Sequence, residues 1–183
     1  MHKQLKLFLV ANSLFLLAGG MLGPLYALFV RDIGGDILAV GASWSIFMVV
    51  SGLGIFFMGK IQDKIKKDKS FIIVGYGLMS LGFLGYFFIS NVIQLFLVQI
   101  LLGISMMIQT PVLDSFYTKY LESGKFASQW AVWEGMYFVI MGIAALIGAI
   151  FVKVFGFKNL FLVMFLLSLI GLFVAMQLKE KND

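Results

Sequence analysis

Glu134 carries the sharpest chemical potential in this sequence. It lies inside a long apolar run, roughly 10 Å from the run's start at about 1.5 Å per residue. An unpaired carboxylate at that depth in lipid costs at least ~2.5–3.5 kcal/mol, so Glu134 must face a cavity, pair, or be protonated. Two readings stand. Glu134 is a proton, cation or cationic-substrate site, or it is a structural tie to a neighbouring helix end. Trp130, Trp133 and Tyr137 share its face at helical spacing. The tryptophans fit an aromatic belt at the membrane interface. Trp133 and Tyr137 are also candidates for a cavity wall.

Asn12, Gln99 and Gln109 are neutral polar groups within apolar runs. Each could hydrogen-bond a solute or tie two helices, a contact worth about 0.6–2 kcal/mol. Gln99 reads first as a tie, Asn12 and Gln109 as cavity groups. Asp114 reads as a wet or gating residue at the end of the fourth run. Met106, Met107 and the many phenylalanines read as packing and lipid contact, and no cofactor is expected.

Nothing in the chain resembles a catalytic constellation. HExxH, P-loop and GxSxG patterns are absent. There is no cysteine, which excludes disulfides, thiol catalysis and cysteine metal sites. The single histidine, His2, is terminal and builds neither a buried metal site nor a triad. The expectation is that the protein is not an enzyme.

These side chains need a scaffold, and composition names its solvent. Hydrophobic residues make up 61% of the chain and charged residues 13%, against about a quarter charged in a soluble domain. Lipid must therefore cover most of the surface, and the bilayer is the first partner. The net charge of +5 is spread over loops rather than gathered on a face, so nucleic acid is not an expected partner.

Long apolar stretches, charge-free except for Glu134 in the fifth, divide the 183 residues into six expected spans in a single all-α domain. They are about 7–30, 37–59, 70–89, 92–113, 127–152 and 159–178. The first begins behind MHKQLK, as a signal peptide would, but exceeds the ~7–15 residues of a signal h-region and reads as a retained helix. Pro24 marks a late kink or bend. Between Lys69 and Asp114 no charge occurs, and a single helix there would be roughly twice the ~30 Å hydrocarbon core. Ser90-Asn91 marks the expected reversal. Polar turns are expected at Arg31–Asp36, Gly59–Lys69, Asp114–Gln129 and Lys153–Lys158.

Lys and Arg set the expected orientation. One side collects Lys3, Lys6, Lys60, Lys64, Lys66, Lys67, Lys69, Lys119, Lys125, Lys179 and Lys181; the other holds Arg31, Lys153 and Lys158. Both termini are expected in the cytoplasm, with the chain in the plasma (inner) membrane. Pro24 and Pro111 fall late in the first and fourth runs, which fits an inverted 3+3 repeat.

The stretch GKIQDKIKKDK, Gly59 to Lys69, resembles the signature of the major facilitator superfamily, G-x-L-x-D-R/K-x-G-R/K-R/K. Gly59 matches the first glycine, Ile61 the leucine, Asp63 the acid, Lys64 the first base and Lys67 a later base. Lys66 stands at the second glycine and Asp68 at a base. The fourth run, with Gly103 and Pro111, is similar to the family's fourth helix, with Gln99 where many proton-coupled members carry arginine. The glycine-proline element of antiporters is absent from the fifth run, although Gly142 and Gly148 give it a glycine-rich face.

The resemblance covers one six-helix half of the family's usual twelve. It implies transport of a small-molecule substrate by alternating access, with the first and fourth helices lining the cavity. It also implies a second half, supplied by a parallel homodimer or by a different six-helix chain. A non-transporting scaffold or sensor is the other reading. Few charges are expected in the cavity, which favours an amphipathic or neutral solute. The motif's Asp63 would dock against the start of the partner's fifth helix.

Overall fold

Short polar side chains open two of the long helices. Asp36 accepts a hydrogen bond from the Ala39 amide at 2.8 Å, and Asn91 accepts one from the Gln94 amide at 3.0 Å. Each satisfies an N–H that the first helical turn would leave unpaired. The structure, a computed structural model, describes residues 3–179. His2 and Lys181 lie outside the described residues.

The described residues form helices α1 (Lys3–Gly20), α2 (Tyr26–Asp32), α3 (Ile37–Ile65), α4 (Asp68–Phe88), α5 (Val92–Thr118) and α6 (Phe126–Met176), with a 3-10 turn at Gly23–Leu25. Counting α1 and α2 as one bent unit, five helices are long and apolar enough to cross a membrane. The protein is an all-helical integral membrane protein.

The expected first span is interrupted more strongly than a kink. Pro24 has no N–H to continue the ladder, and the 3-10 turn separates α1 from α2. Pro111, by contrast, stays inside a continuous α5. The two prolines therefore have different local consequences.

The Gly59–Lys69 loop is corrected as well. Gly59, Ile61, Asp63 and Lys64 belong to the last turns of α3, which runs to Ile65. The reversal is confined to Lys66 and Lys67 before α4 starts at Asp68. Charge does not stop a helix that has emerged into water. Lys66 ends it with left-handed backbone, φ 52° and ψ 40°, the conformation that favours glycine at a helix end. This gives a physical reason for glycine at that position of the family pattern.

The expected turn at Lys153–Lys158 shrinks to one residue. α6 is 51 residues long, about 76 Å as a straight helix. Gly156 breaks it with φ 75° and ψ 173°, a combination essentially reserved for glycine. Contacts with α1 show the reversal. Before the break, Ser13 meets Met136 and Gly20 meets Ala144, so the numbering rises together. After it, Phe29 of α2 meets Phe161 edge-on, Phe15 meets Gly171 and the Lys179 amide donates to Gln4. The arms 126–155 and 157–176 thus run in opposite directions along the α1–α2 unit.

Packing pairs α1 with α6, α3 with α5, and α4 with both α5 and α6. At Gly148 the approach is closest, because a Cβ there would collide with the Met21 carbonyl. One end of the bundle gathers the start of α1, the α3–α4 junction, and the end of α5 with the start of α6. Phe8 and Trp133 stack there with centroids 5.6 Å apart, and Lys119 pairs with Asp68 at 2.8 Å. At the opposite end Phe29 packs on Tyr86, Phe157 and Phe161.

Candidate solute cavity

α5 supplies the longest wall. Gln99, Leu102, Met106, Gln109, Thr110, Leu113 and Asp114 recur along it at helical spacing and line one cavity of about 560 Å³. α1 adds Asn12, Phe15, Leu16 and Gly19; the first arm of α6 adds Trp133, Glu134, Tyr137 and Met141. α3 contributes Trp44, Phe47 and Met48, and α4 contributes Met79, Phe83 and Tyr86. Asn12, Gln99, Gln109, Asp114, Trp133, Glu134 and Tyr137 therefore share a single cavity. Gly59, Ile61, Asp63, Lys64 and Lys67 do not line it.

Asp114 requires a correction. It sits within α5, not in a loop beyond it. The helix continues because Phe116 and Tyr117 extend its buried face, and Thr118 Oγ1 donates to the Asp114 carbonyl at 2.7 Å. The wet junction that follows holds an exposed pair, Lys125 with Glu122 at 2.8 Å. The Lys125 ammonium holds the Glu122 carboxyl below its usual range.

Gln99 is 2% exposed and anchors a relay across the bundle. Its Nε2 donates to the Tyr26 hydroxyl. Tyr26 donates to Ser43 Oγ at 2.6 Å, and Ser43 donates to the Ala39 carbonyl at 2.7 Å. The relay joins α5, α2 and α3 with each donor satisfied, as buried polar groups require. Asn12 accepts from the Tyr76 hydroxyl at 3.3 Å. Gln109 Nε2 lies 3.3 Å from Ser105 Oγ, which donates to the Gly75 carbonyl at 2.8 Å. Asn12 and Gln109 are thus partly engaged by the bundle while bordering the cavity.

Trp133 and Trp130 do more than mark an interface. Trp133 stacks on Phe8 and lies 4.9 Å from the Tyr117 ring, and Trp130 meets Tyr117 edge-on at 5.2 Å. This aromatic cluster joins α1, α5 and α6 at the end of the bundle that holds the start of α1.

Among the described residues, Asp114 and Glu134 are the charged members of the cavity lining, and no Lys, Arg or His joins them. Both are exposed in the isolated chain, and they are near enough for their charges to interact. No group of three or more His, Asp or Glu among the described residues could hold a metal ion.

Several participants escaped the sequence reading. Tyr26, Ser43 and Tyr86 are ordinary residues for a span and carry no charge signal. Thr110 Oγ1 is buried without a hydrogen-bond partner among the described residues and borders the cavity. Gln62 sits among lysines in the motif, yet is buried and donates to the Ile108 carbonyl at 2.6 Å. A stripe at three- and four-residue steps, Ser43, Phe47, Ser51, Gly54, Met58 and Gln62, is the available signal.

The family model described as Major Facilitator Superfamily matches residues 8–182. The chain is also similar to YitZ, an uncharacterized MFS-type transporter of Bacillus subtilis (strain 168), with 26% identity over 123 residues, covering 66% of this chain and 74% of that protein. These matches point to transport rather than catalysis. With a motif at the α3–α4 junction and a cavity walled by α1 and α5, the chain belongs to the major facilitator superfamily.

Proposed function

We propose that the chain is a secondary transporter that moves a small solute by alternating access, as a parallel homodimer of two six-crossing bundles. One observation carries this reading. Asp114 and Glu134 lie exposed on the open flank of the cavity. Against lipid, each would cost at least ~2.5–3.5 kcal/mol. A second bundle over that flank turns it into an enclosed polar space and removes the penalty.

Other features agree. The reversal at Gly156 supports six crossings, related as an inverted 3+3 repeat, and the lysine-rich end supports cytoplasmic termini in the plasma (inner) membrane. Two such chains have the topology to pair about an axis along the membrane normal. Asp63 is exposed, with no hydrogen bond or ion pair to another described residue, and is available to meet the partner's α6 start near Phe126. The helix N-terminus there attracts a carboxylate.

The absence of cysteine makes the test direct. A Phe138→Cys chain, altered at an exposed position one turn from Glu134, should form a disulfide-linked pair in a bilayer. Native mass measurement from a mild membrane mimic should give twice the chain mass. A transport-active monomer would sink the proposal. Activity only with a different six-helix chain would replace the homodimer by a split transporter.

A further inference from the structure

We infer that this cavity selects an organic cation with an apolar body, the charge being held by Asp114 and Glu134. The inference rests on reading the cavity as the solute site, and it adds the chemical class of the solute. Among the described residues the lining carries two acids and no base. An anion would meet two carboxylates with nothing to offset them, and a neutral solute would leave both acids without a counter-charge.

Trp133 and Tyr137 border the cavity on either side of Glu134 along α6. Aromatic faces attract a cation; Trp133 already stacks on Phe8, which leaves Tyr137 as the ring better placed to meet one. Thr110 stands one turn before Asp114 on the same wall, and its buried Oγ1 has no partner among the described residues. A small shift of that side chain would bring the hydroxyl to a solute beside Asp114. A protonated amine therefore finds two carboxylates and an aromatic ring in one place.

A bare metal ion fits poorly. About 560 Å³ is far more space than an ion fills, and two carboxylates are a sparse ligand set for a hard cation that takes six or more oxygens. The rest of the wall is mainly apolar, as at Phe15, Phe47 and Met106, which suits a hydrocarbon body.

Equilibrium dialysis of the full chain in nanodiscs, with empty nanodiscs subtracted, tests this with three probes of similar size. Phenethylamine is cationic at pH 7, phenethyl alcohol is neutral and phenylacetate is anionic. The amine should bind at least tenfold tighter than the alcohol, and phenylacetate should bind least. Asp114→Asn and Glu134→Gln, each checked for monodispersity, should each weaken amine binding tenfold or more. Equal binding of amine and alcohol, no binding of the amine, or unchanged affinity in both acid variants overturns the inference. The probe comparison uses the unaltered chain, so a misfolded variant cannot decide it. The mass and crosslinking measurements judge the homodimer separately.

Discussion

Lys119 Nζ lies 2.8 Å from Asp68 Oδ2, fastening the end of α5 to the start of α4. Asp68 is buried. It stands where the family pattern carries a base, so the contact with Lys119 accounts locally for the departure.

Lys119→Met should leave the Asp68 carboxylate without this partner. The cost should fall between the ~0–1 kcal/mol of an exposed pair and the ~3–5 kcal/mol of breaking a buried one. We expect about 2 kcal/mol, read as a lower thermal unfolding midpoint in detergent. Asp68→Lys, which restores the family's base, should be worse than Asp68→Asn because it sets two ammonium groups together. Equal midpoints for those two variants would refute the pairing argument.

Lys66→Gly should stabilise the protein. Its φ of 52° places an L side chain in the left-handed region, at a cost of roughly 1–2 kcal/mol that glycine avoids. Glycine also gains chain entropy when unfolded, so the net gain should be about 0.5–1 kcal/mol. Lys66→Ala should bring no such gain. Thermal unfolding of the two variants side by side decides the matter.

Gly148 and Gly142 should respond oppositely to the same change. A Cβ at Gly148 meets the Met21 carbonyl, whereas at Gly142 it meets nothing within 4 Å. Gly148→Val should cost about 1–3 kcal/mol through overpacking. Gly142→Val should unfold near the unaltered midpoint. A tolerant Gly148 would show that α1 and α6 are less closely fitted than described.

Asp63→Asn should weaken closure of the cytoplasmic side. It removes the charge proposed to meet the partner's α6 start while keeping shape. A cysteine placed at Thr110 should then react faster with a maleimide added from the cytoplasmic side, by an estimated tenfold for roughly 1.4 kcal/mol of lost latch energy. Unchanged labelling would remove Asp63 from the gating scheme.

Much of this architecture is legible in the sequence because charge is expensive in lipid. Uncharged runs mark the spans, and Ser90-Asn91 marks a reversal that the structure places immediately before α5. Helix ends are less legible. Lys60, Asp63 and Lys64 are as acceptable to a helix in water as to a loop, so charge locates the membrane edge and not the last helical turn. The turn expected from Asp114 begins only after Thr118 for the same reason.

The cavity residues were legible where a polar group interrupts an apolar run, as at Asn12, Gln109 and Glu134. Tyr26 and Ser43 gave no such signal. Their role depends on Gln99 arriving from α5, a contact between residues 73 positions apart. Gln62 was masked by the lysines around it, although its burial comes from the Ile108 carbonyl of another helix.

The single-residue break at Gly156 has a mechanical consequence. A one-residue pivot leaves no slack between the arms of α6, and α1 is wedged along both. In the alternating access proposed above, these three segments would tilt together as one lever. Displacement near Glu134 cannot be absorbed at Gly156 by lengthening a loop, so it has to travel into the contacts that α4 makes with α6. The seam along α4 is then where the bundle yields, and stiffening it should slow every step that needs the lever to swing.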